Sequence, residues 1–450
     1  MKRIARRSAG LMVLIALFLL CTCAFMFKYF RDAGMWASHP ANRALQQSDG
    51  QTVGKIISSD GVVLFSKTEY HQNADMRRAL LHTVGDGGNK IVTDTRTRYR
   101  SVLSGYDVFG GLFGSAKKGG GTVALTLDSS TCLAAYHALG KYNGAVGVYN
   151  YNTGEMLCMV SKPSFDPANV PDLTKPQYDG TLVNGLINGK FTPGSVFKIV
   201  TAAAAIENIP DISTRTFTCD GGTTIDGKRV ACAAKHGVIN FRDAFAKSCN
   251  AAFAVISEEL GAKTLAKYAD NMGVTKSFSV SGIDSSRGSV NLKNAAPIDI
   301  AWAGIGQHEN RVNPLQFMLL MGSIAGGGTT RTPYYVGSVT SASGIPADIR
   351  NPFDYSNMVS GSTAAELKEL MRYAVTSNYG EKGFANMELC GKTGTAEMGE
   401  GKQPHSWFVG FCANPETPLA FVVVVENGGS GAGNAIPVAR KVLAEAVKTF

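Results

Sequence analysis

One helix that is apolar on every side, yet contains a lysine, most constrains how this chain folds. It follows Pro193 and Gly194, which end the preceding segment, and its sequence SVFKIVTAAAAI runs from Ser195 to Ile206. A helix that is hydrophobic all round is a buried helix, so Lys198 has to enter the core. Because burial of a charged ammonium is costly, we expect Lys198 to have a specific polar partner or a lowered pKa.

Ser195 precedes Lys198 by three residues, which places both side chains on one face of the helix. A hydroxyl beside a desolvated amine is one arrangement that activates a serine as a nucleophile. A Ser-x-x-Lys string alone is weak evidence, since a chain of 450 residues contains such strings by chance. Another one, Ser115–Lys118, lies in a glycine-rich stretch without an apolar helix, and we interpret it as a solvated loop.

The N-terminal segment predicts a membrane anchor. Residues 9–27 carry no charge, and nineteen helical residues span about 28 Å, close to the hydrocarbon thickness of a bilayer. A cleavable signal peptide is the alternative, but the apolar run is long and no small-x-small site follows it before Lys28. We therefore predict an anchor retained in the cytoplasmic membrane. Four basic residues precede the apolar segment: Lys2, Arg3, Arg6 and Arg7. By the positive-inside rule, they predict that residues 1–8 form a cytosolic tail and that the chain after the anchor lies outside the cytoplasm.

The net charge of the chain is +9, and the N-terminal basic residues are its only basic cluster. The remaining basic residues are spread along the chain, without a long basic run and without interleaved aromatic residues. This distribution argues against a nucleic-acid partner.

Beyond the anchor, the sequence predicts two extracytoplasmic domains. Residues 28–120 read as a small, irregular, mostly β domain, in which GKIISSDGVVLF forms two short strands around a turn. The glycine-rich GGLFGSAKKGGG at 110–121 marks a hinge. Residues 121–450 contain a hairpin at 143–161 and three further strands near the C-terminus, with a helical block between them and an amphipathic helix at the end. This order predicts an α+β domain with one antiparallel sheet covered by helices.

Nine cysteines are present, of which Cys21 and Cys23 lie in the apolar segment. The other seven are an odd number and cannot all pair, so most are expected to be small buried hydrophobes. Cys219 and Cys232 bracket the polar excursion CDGGTTIDGKRVAC, and His236 follows it. Three interpretations stay open for this pair: a disulfide, free thiols, or a zinc site completed by His236 and one more ligand.

Two further strings stand out. Ser248-Cys249-Asn250 lies in a helical region, on a turn that could aim both polar side chains in one direction. The alternative for this string is helix capping or surface polarity. Lys392-Thr393-Gly394-Thr395 lies in a predicted strand, where a glycine allows close approach by a ligand and the other residues offer a cation and hydroxyl donors. The alternative for the second string is an exposed edge strand.

The three strings occur in the order Ser-x-x-Lys, Ser-x-Asn and Lys-Thr-Gly, which is the ordered triple of penicillin-binding proteins and serine β-lactamases. Over residues 121–450 the chain resembles a class B, monofunctional penicillin-binding protein. The sequence around the strings resembles that family too, in the stretches FTPGSVFK, GIGQHENRVNPLQF and GKTGTAE…HSWFVGF. Residues 40–90 look more weakly like the N-terminal part of the short elongation or sporulation members. The resemblance implies a serine penicillin-recognising transpeptidase fold, with an all-helical subdomain beside the sheet.

The same resemblance implies a serine-type D-Ala-D-Ala transpeptidase that cross-links peptidoglycan stem peptides and is acylated by β-lactams. Ser195 would attack the penultimate D-Ala carbonyl, and Lys198 would act as the base. Ser248 would relay a proton to the leaving amine, and Asn250 would hold the peptide backbone. No metal and no organic cofactor is implied.

Further roles implied by the resemblance concern the third string. Lys392 would support the electrostatics of the site, and Thr393, Gly394 and Thr395 would bind the substrate, with both threonines on its terminal carboxylate. The backbone N–H groups of Ser195 and Thr395 would form an oxyanion hole. A membrane glycan polymerase of the shape, elongation, division and sporulation family is the implied partner.

Several alternatives stay open at this stage. A D,D-carboxypeptidase would use water as the acceptor, and a class D-like β-lactamase would use a modified Lys198. A class A lactamase is disfavoured because no Glu-x-x-Leu-Asn string lies between Asn250 and Lys392. A β-lactam sensor or an anchored scaffold without catalysis are the non-enzymatic alternatives.

Overall fold

The computed structural model describes residues 2–37, 54–67, 69–88, 90–106, 119–346, 355–384, 386–399 and 401–450. The Ser115–Lys118 string, most of the predicted hinge at 110–121 and the segment Asn42–Gly50 lie outside these ranges.

In the described ranges the α-helices are α1 (Lys2–Ala37), α2 (Ala74–Ala79), α3 (Leu81–Val84), α4 (Thr95–Arg98), α5 (Arg100–Leu103), α6 (Ser129–Leu139), α7 (Lys198–Asn208), α8 (Phe241–Ala246), α9 (Asn250–Asn271), α10 (Pro297–Gly304), α11 (Pro314–Ala325), α12 (Gly361–Ala374) and α13 (Ile436–Ala446). The strands are β1 (Lys55–Ile57), β2 (Val63–Ser66), β3 (Glu69–Tyr70), β4 (Thr122–Leu125), β5 (Gly144–Asn150), β6 (Met156–Lys162), β7 (Thr216–Cys219), β8 (Gly222–Ile225), β9 (Lys228–Ala231), β10 (Gly237–Asn240), β11 (Ser279–Val280), β12 (Ile283–Asp284), β13 (Thr329–Arg331), β14 (Val336–Thr340), β15 (Tyr355–Asn357), β16 (Leu389–Ala396), β17 (His405–Cys412) and β18 (Leu419–Val425).

Helix α1 contains the predicted anchor. Its segment Arg7–Tyr29 is long and apolar enough to cross a membrane, with a mean hydropathy of 2.6. None of that segment is buried against the rest of the protein. An apolar helix with no protein surface covering it fits a single-pass anchor.

The central sheet has the strand order β16-β17-β18-β5-β6, and every neighbouring pair is antiparallel. Strands β17, β18 and β5 are buried along their whole length, because helices cover the sheet. Helix α11 packs on β17, β18 and β5, while α6 and α13 pack on each other. The predicted antiparallel sheet with helical cover is confirmed, and β16 forms one of its edges.

A second sheet has the order β14-β4-β1-β2-β3. The predicted strand pair around the Ser-Asp-Gly turn is present as β1 and β2. Strand β4 pairs with β1 in parallel and with β14 antiparallel, so residues on both sides of position 120 share this sheet.

The helical block lies between the two halves of the central sheet in sequence. Helix α9 packs against α7 and α10, and α12 packs against β16. Two small antiparallel sheets, β7 with β10 and β8 with β9, precede α8 and contact α9. The turn between α8 and α9, with the first residue of α9, carries the second of the three strings.

Candidate active site

Ser195 lies at the start of the buried helix. The chain enters through a 3₁₀ turn at Gly194–Phe197, and Lys198 is the first residue of α7. In a 3₁₀ turn residues three apart are aligned, so the two side chains share a face. Ser195 is half-buried, whereas Lys198 is completely buried, as the all-apolar helix predicts.

Gly194 lets this turn approach the sheet edge. Its φ is +56°, and a Cβ at this position would lie 2.3 Å from the carbonyl oxygen of Thr395. Its N–H donates to the carbonyl oxygen of Gly306 at 2.9 Å. A residue with a side chain would both strain the backbone and push the turn away from the strand.

Lys198 contacts the second string. Its Nζ lies 2.7 Å from the carbonyl oxygen of Ser248, 3.1 Å from Ser248 Oγ and 2.7 Å from Asn250 Oδ1. The Phe253 ring centroid is 5.5 Å away. Desolvation by burial, together with the nearby Lys392 ammonium, holds the pKa of Lys198 well below its usual value.

The turn between α8 and α9 aims Ser248 and Asn250 at this amine. Ser248 has a φ of +55°, which is rare for a residue with a side chain. The turn is closed by the Ser248 N–H donating to Phe245 O at 3.1 Å and the Cys249 N–H donating to Ala244 O at 2.9 Å. The reversal places both outer residues of the string beside Lys198. Such a conformation is frequently found at functional sites.

The third string forms the open edge of the central sheet. The Thr393 N–H points away from β17, since it donates to the Tyr379 hydroxyl at 3.4 Å. Backbone groups alternate along a strand, so the Thr395 N–H also faces the open edge. A Cβ at Gly394 would lie 2.9 Å from Pro193 O and 3.0 Å from Val196 Cγ1, so the glycine allows the serine turn to pack on the strand.

Lys392 is the second completely buried lysine of the pocket. Its Nζ lies 3.2 Å from Thr393 O, 3.4 Å from the Tyr379 hydroxyl and 5.7 Å from the Phe245 ring centroid. Burial lowers the pKa of Lys392 to about 7. Among the ion pairs of the described residues, none involves Lys198 or Lys392.

The structure thus brings Lys198, Ser248 and Asn250 into contact, and it packs the turn that carries Ser195 against the Lys392–Thr395 edge. Two further residues at this edge were missed by the sequence analysis. The Tyr379 hydroxyl contacts both Thr393 and Lys392, and Gln307 Nε2 donates to Thr395 O at 3.5 Å. Gln307 lies in the GIGQHEN context of the resemblance, whereas no local pattern singles out Tyr379.

All nine cysteines have free thiols in the structure, including Cys219 and Cys232. The side chain of Cys249 contacts Cys232, at a distance of 3.7 Å between the sulfurs. The middle residue of the second string therefore reaches the cysteine-flanked excursion.

Comparison with known proteins gives a consistent result. The family model of the penicillin binding protein transpeptidase domain matches residues 144–444. Peptidoglycan D,D-transpeptidase PbpA of Mycolicibacterium smegmatis is 26% identical, and the alignment covers 98% of each chain. Penicillin-binding protein A of M. tuberculosis, solved as a ceftriaxone acyl-enzyme complex, superposes with a TM-score of 0.75 and 25% identity over 88% of this chain and 98% of that one.

A third similarity concerns an assembly. A chain from a solved peptidoglycan synthase complex that coordinates polymerization and crosslinking superposes with a TM-score of 0.62 and 26% identity. It covers 74% of this chain and 63% of that one.

Proposed function

Because the chain belongs to the transpeptidase domain family of the penicillin-binding proteins, we propose that it is a peptidoglycan D,D-transpeptidase working through a Ser195 acyl-enzyme. The observation that carries the proposal is the completely buried Lys198, which follows Ser195 by three residues and whose amine contacts both Ser248 and Asn250. The class B assignment and the serine-type activity agree with the D,D-transpeptidase relatives.

In the proposed reaction Ser195 Oγ attacks the penultimate D-Ala carbonyl, and Lys198 accepts its proton. A lowered pKa provides the neutral amine that this step requires. Ser248 Oγ, 3.1 Å from Lys198 Nζ, passes the proton to the departing D-Ala amine. Asn250 Oδ1 orients the lysine, and Asn250 would also hold the peptide backbone of the substrate. A stem-peptide amine then attacks the acyl-enzyme.

The sheet edge is proposed to bind the substrate. The N–H groups of Ser195 and Thr395 would donate to the developing oxyanion, which is supported by the outward direction of alternate N–H groups on β16. The hydroxyls of Thr393 and Thr395 would contact the substrate carboxylate beside Gly394. Lys392 would supply positive potential from beneath the edge.

A class D-like lactamase is the less favoured of the enzymatic alternatives. Such an enzyme would carry a carbamate on Lys198, and its anionic oxygens would meet the two acceptor oxygens that lie 2.7 Å from Nζ. A carboxypeptidase uses the same first step and differs only in the acceptor, so it is distinguished by the products.

The anchor α1 would hold the catalytic domain outside the cytoplasmic membrane, with residues 1–8 in the cytosol. The charge pattern before the apolar segment supports this orientation. The partner is proposed to be a membrane glycan polymerase of the shape, elongation, division and sporulation family. Similarity to a chain of the peptidoglycan synthase complex supports a partnership of this kind.

The test is to mix the full chain in detergent with benzylpenicillin and follow its intact mass over hours. We expect one persistent adduct in the wild type and none in Ser195→Ala. Ser289→Ala is the matched control, because Ser289 begins another Ser-x-Asn string but is exposed on a polar loop. An adduct that disappears while penicillin is consumed would instead identify a lactamase.

A second arm separates transpeptidase from carboxypeptidase. The protein is given a stem pentapeptide with and without an acceptor peptide, and the products are separated by chromatography. Cross-linked product supports the transpeptidase, and hydrolysis alone supports the carboxypeptidase. A folded protein that forms neither product nor penicillin adduct would favour the scaffold.

A further inference from the structure

Four potential metal ligands converge next to the active-site pocket. They are Cys219, Cys232, His236 and Cys249, and their ligand atoms all lie within 4.8 Å of one another. Cys219 and Cys249 are buried, and the other two are half-buried. The fourth ligand that the sequence left unidentified is therefore Cys249, the middle residue of the Ser-x-Asn string.

Three distances within this cluster match the edges of a tetrahedral metal site. The sulfurs of Cys219 and Cys232 lie 3.5 Å and 3.7 Å from His236 Nδ1, and those of Cys232 and Cys249 lie 3.7 Å apart. With zinc–sulfur and zinc–nitrogen bonds of about 2.3 Å and 2.0 Å, a tetrahedron has edges of about 3.8 Å between sulfurs and about 3.6 Å between sulfur and nitrogen. A disulfide would need the sulfurs at about 2.05 Å.

Several short elements of the chain bring these ligands together. Cys219 ends β7, which pairs with β10 directly after His236, and the His236 N–H donates to Cys219 O at 3.1 Å. Cys232 follows the β8–β9 hairpin, and its N–H donates to Gly221 O at 3.1 Å. Cys249 caps the start of α9. The polar excursion that had no apparent role is thus folded around the cluster.

We propose that Cys219, Cys232 and Cys249 through Sγ and His236 through Nδ1 bind one Zn²⁺ ion. Three thiolates and one imidazole satisfy all four positions of a tetrahedral ion, which is the arrangement of a structural site without a position for substrate. Thiolate and imidazole ligands favour zinc over magnesium or calcium, which prefer oxygen ligands. This site departs from the metal-free protein that the family resemblance implied.

The zinc site would fix the turn that carries Asn250. The Asn250 N–H donates to Cys232 Sγ at 3.0 Å, and its Nδ2 donates to Ala231 O at 2.8 Å. These two bonds leave Oδ1 directed at Lys198 Nζ. A metal-bound thiolate and the group that donates a hydrogen bond to it orient each other. The ion would therefore hold Asn250 in position through Cys232. This second step rests on the proposed function, whereas metal binding does not.

The first experiment measures metal content in the full chain, purified in detergent without chelators and expressed with added zinc. We expect about one zinc per chain by elemental mass spectrometry, and the same value in Ser195→Ala, so that the result is independent of catalysis. Cys219→Ser and His236→Ala should each lose most of the zinc. Cys23→Ser is the matched control, because this cysteine lies in α1 outside the cluster.

Cobalt substitution provides a readout of geometry. Replacement of zinc by Co²⁺ should give the visible absorption of a tetrahedral thiolate site. The His236→Cys variant should still bind Co²⁺, and its absorption spectrum should be shifted relative to that of the wild type. Metal-free protein with a Cys219–Cys232 disulfide, detected by peptide mapping, would overturn the proposal. So would metal-free protein in which all three thiols are alkylated under native conditions.

The positioning role is tested by the rate of acylation with a fluorescent penicillin. Removal of zinc should slow acylation about tenfold or more, as loss of groups that orient metal ligands typically does, and added zinc should restore it. His236→Cys should keep the rate that His236→Ala loses. A zinc-free protein that acylates at the full rate would refute the positioning role. Absence of acylation in the zinc-loaded wild type would instead refute the proposed function.

Discussion

The two buried lysines of the pocket differ in how they are held. Lys198 starts a helix and has three oxygen acceptors within 3.1 Å of its amine. Lys392 lies on an edge strand, and its amine has contacts of 3.2 Å and 3.4 Å. Both are completely buried. Burial alone therefore lowers the pKa of a lysine, but only Lys198 also has its amine held by three short contacts.

This difference suggests a division of labour. A proton acceptor must be held in a defined position relative to the nucleophile, and the short contacts of Lys198 hold its amine in place. A residue that contributes mainly through its charge tolerates looser geometry, since electrostatic potential varies slowly with distance. Lys392 fits the second description. Substitutions at Lys198, Lys392 and Tyr379 test this difference, and they are given in order of decreasing expected effect.

The largest effect is expected from Lys198→Met. Removal of a general base typically costs 10²- to 10⁴-fold, so the second-order rate constant for acylation by benzylpenicillin should fall about 10³-fold. Methionine has a similar length and leaves the apolar helix buried, so the circular dichroism spectrum should be retained. Lys247→Met is the control, because Lys247 directly precedes Ser248 but is exposed. If folded Lys198→Met protein is acylated at the wild-type rate, Lys198 is not the general base.

The sequence could predict Lys198 because its evidence is local. An alanine-rich run that is apolar on all sides forces burial wherever the helix packs, and the hairpin β5–β6 is likewise specified by alternation and a turn. The order of strands and helices predicted the α+β fold, and the family resemblance predicted that the three strings form one site. Local detail is harder to predict: Asp128, and not one of the two serines that follow it, caps α6 by accepting the Thr131 N–H.

Contacts that depend on tertiary folding could not be predicted. Cys249 meets Cys219 only because two small sheets and a helix start converge, and no spacing rule encodes that arrangement. Tyr379 reaches Thr393 from a π-helical turn after α12. The sheet shared by β1 and β4 likewise depends on pairing across the predicted boundary near residue 120.

The second prediction concerns Lys392 and the pH dependence of stability. The pKa is about 7 in the folded chain and about 10.4 when unfolded. Between these values the unfolded chain binds more protons, so the unfolding free energy should rise with pH. The cost of burying the ammonium is complete below pH 7 and disappears as pH rises towards the unfolded pKa.

Relative to Lys392→Met, the wild type should gain up to about 1.4 kcal/mol per pH unit in this window. Loss of Lys392 also relieves its repulsion of Lys198, so the variant should have the smaller slope. Urea unfolding of the full chain in detergent at several pH values measures the difference. Lys263→Met, at an exposed position of α9, should keep the wild-type slope. Equal slopes for wild type and Lys392→Met would mean that Lys392 stays charged when buried.

The smallest effect is expected from Tyr379→Phe. The Tyr379 hydroxyl lies 3.1 Å from Thr393 Oγ1 and 3.4 Å from Lys392 Nζ, so it is the polar contact that steadies the loosely held edge. Loss of a hydrogen bond with a net value of about 1 kcal/mol should lower the acylation rate constant about fivefold. Tyr373→Phe is the control, because its hydroxyl donates to Asp243 instead. If Tyr379→Phe acylates at the wild-type rate, the edge is already rigid, and the contrast in how the two lysines are held has no catalytic consequence.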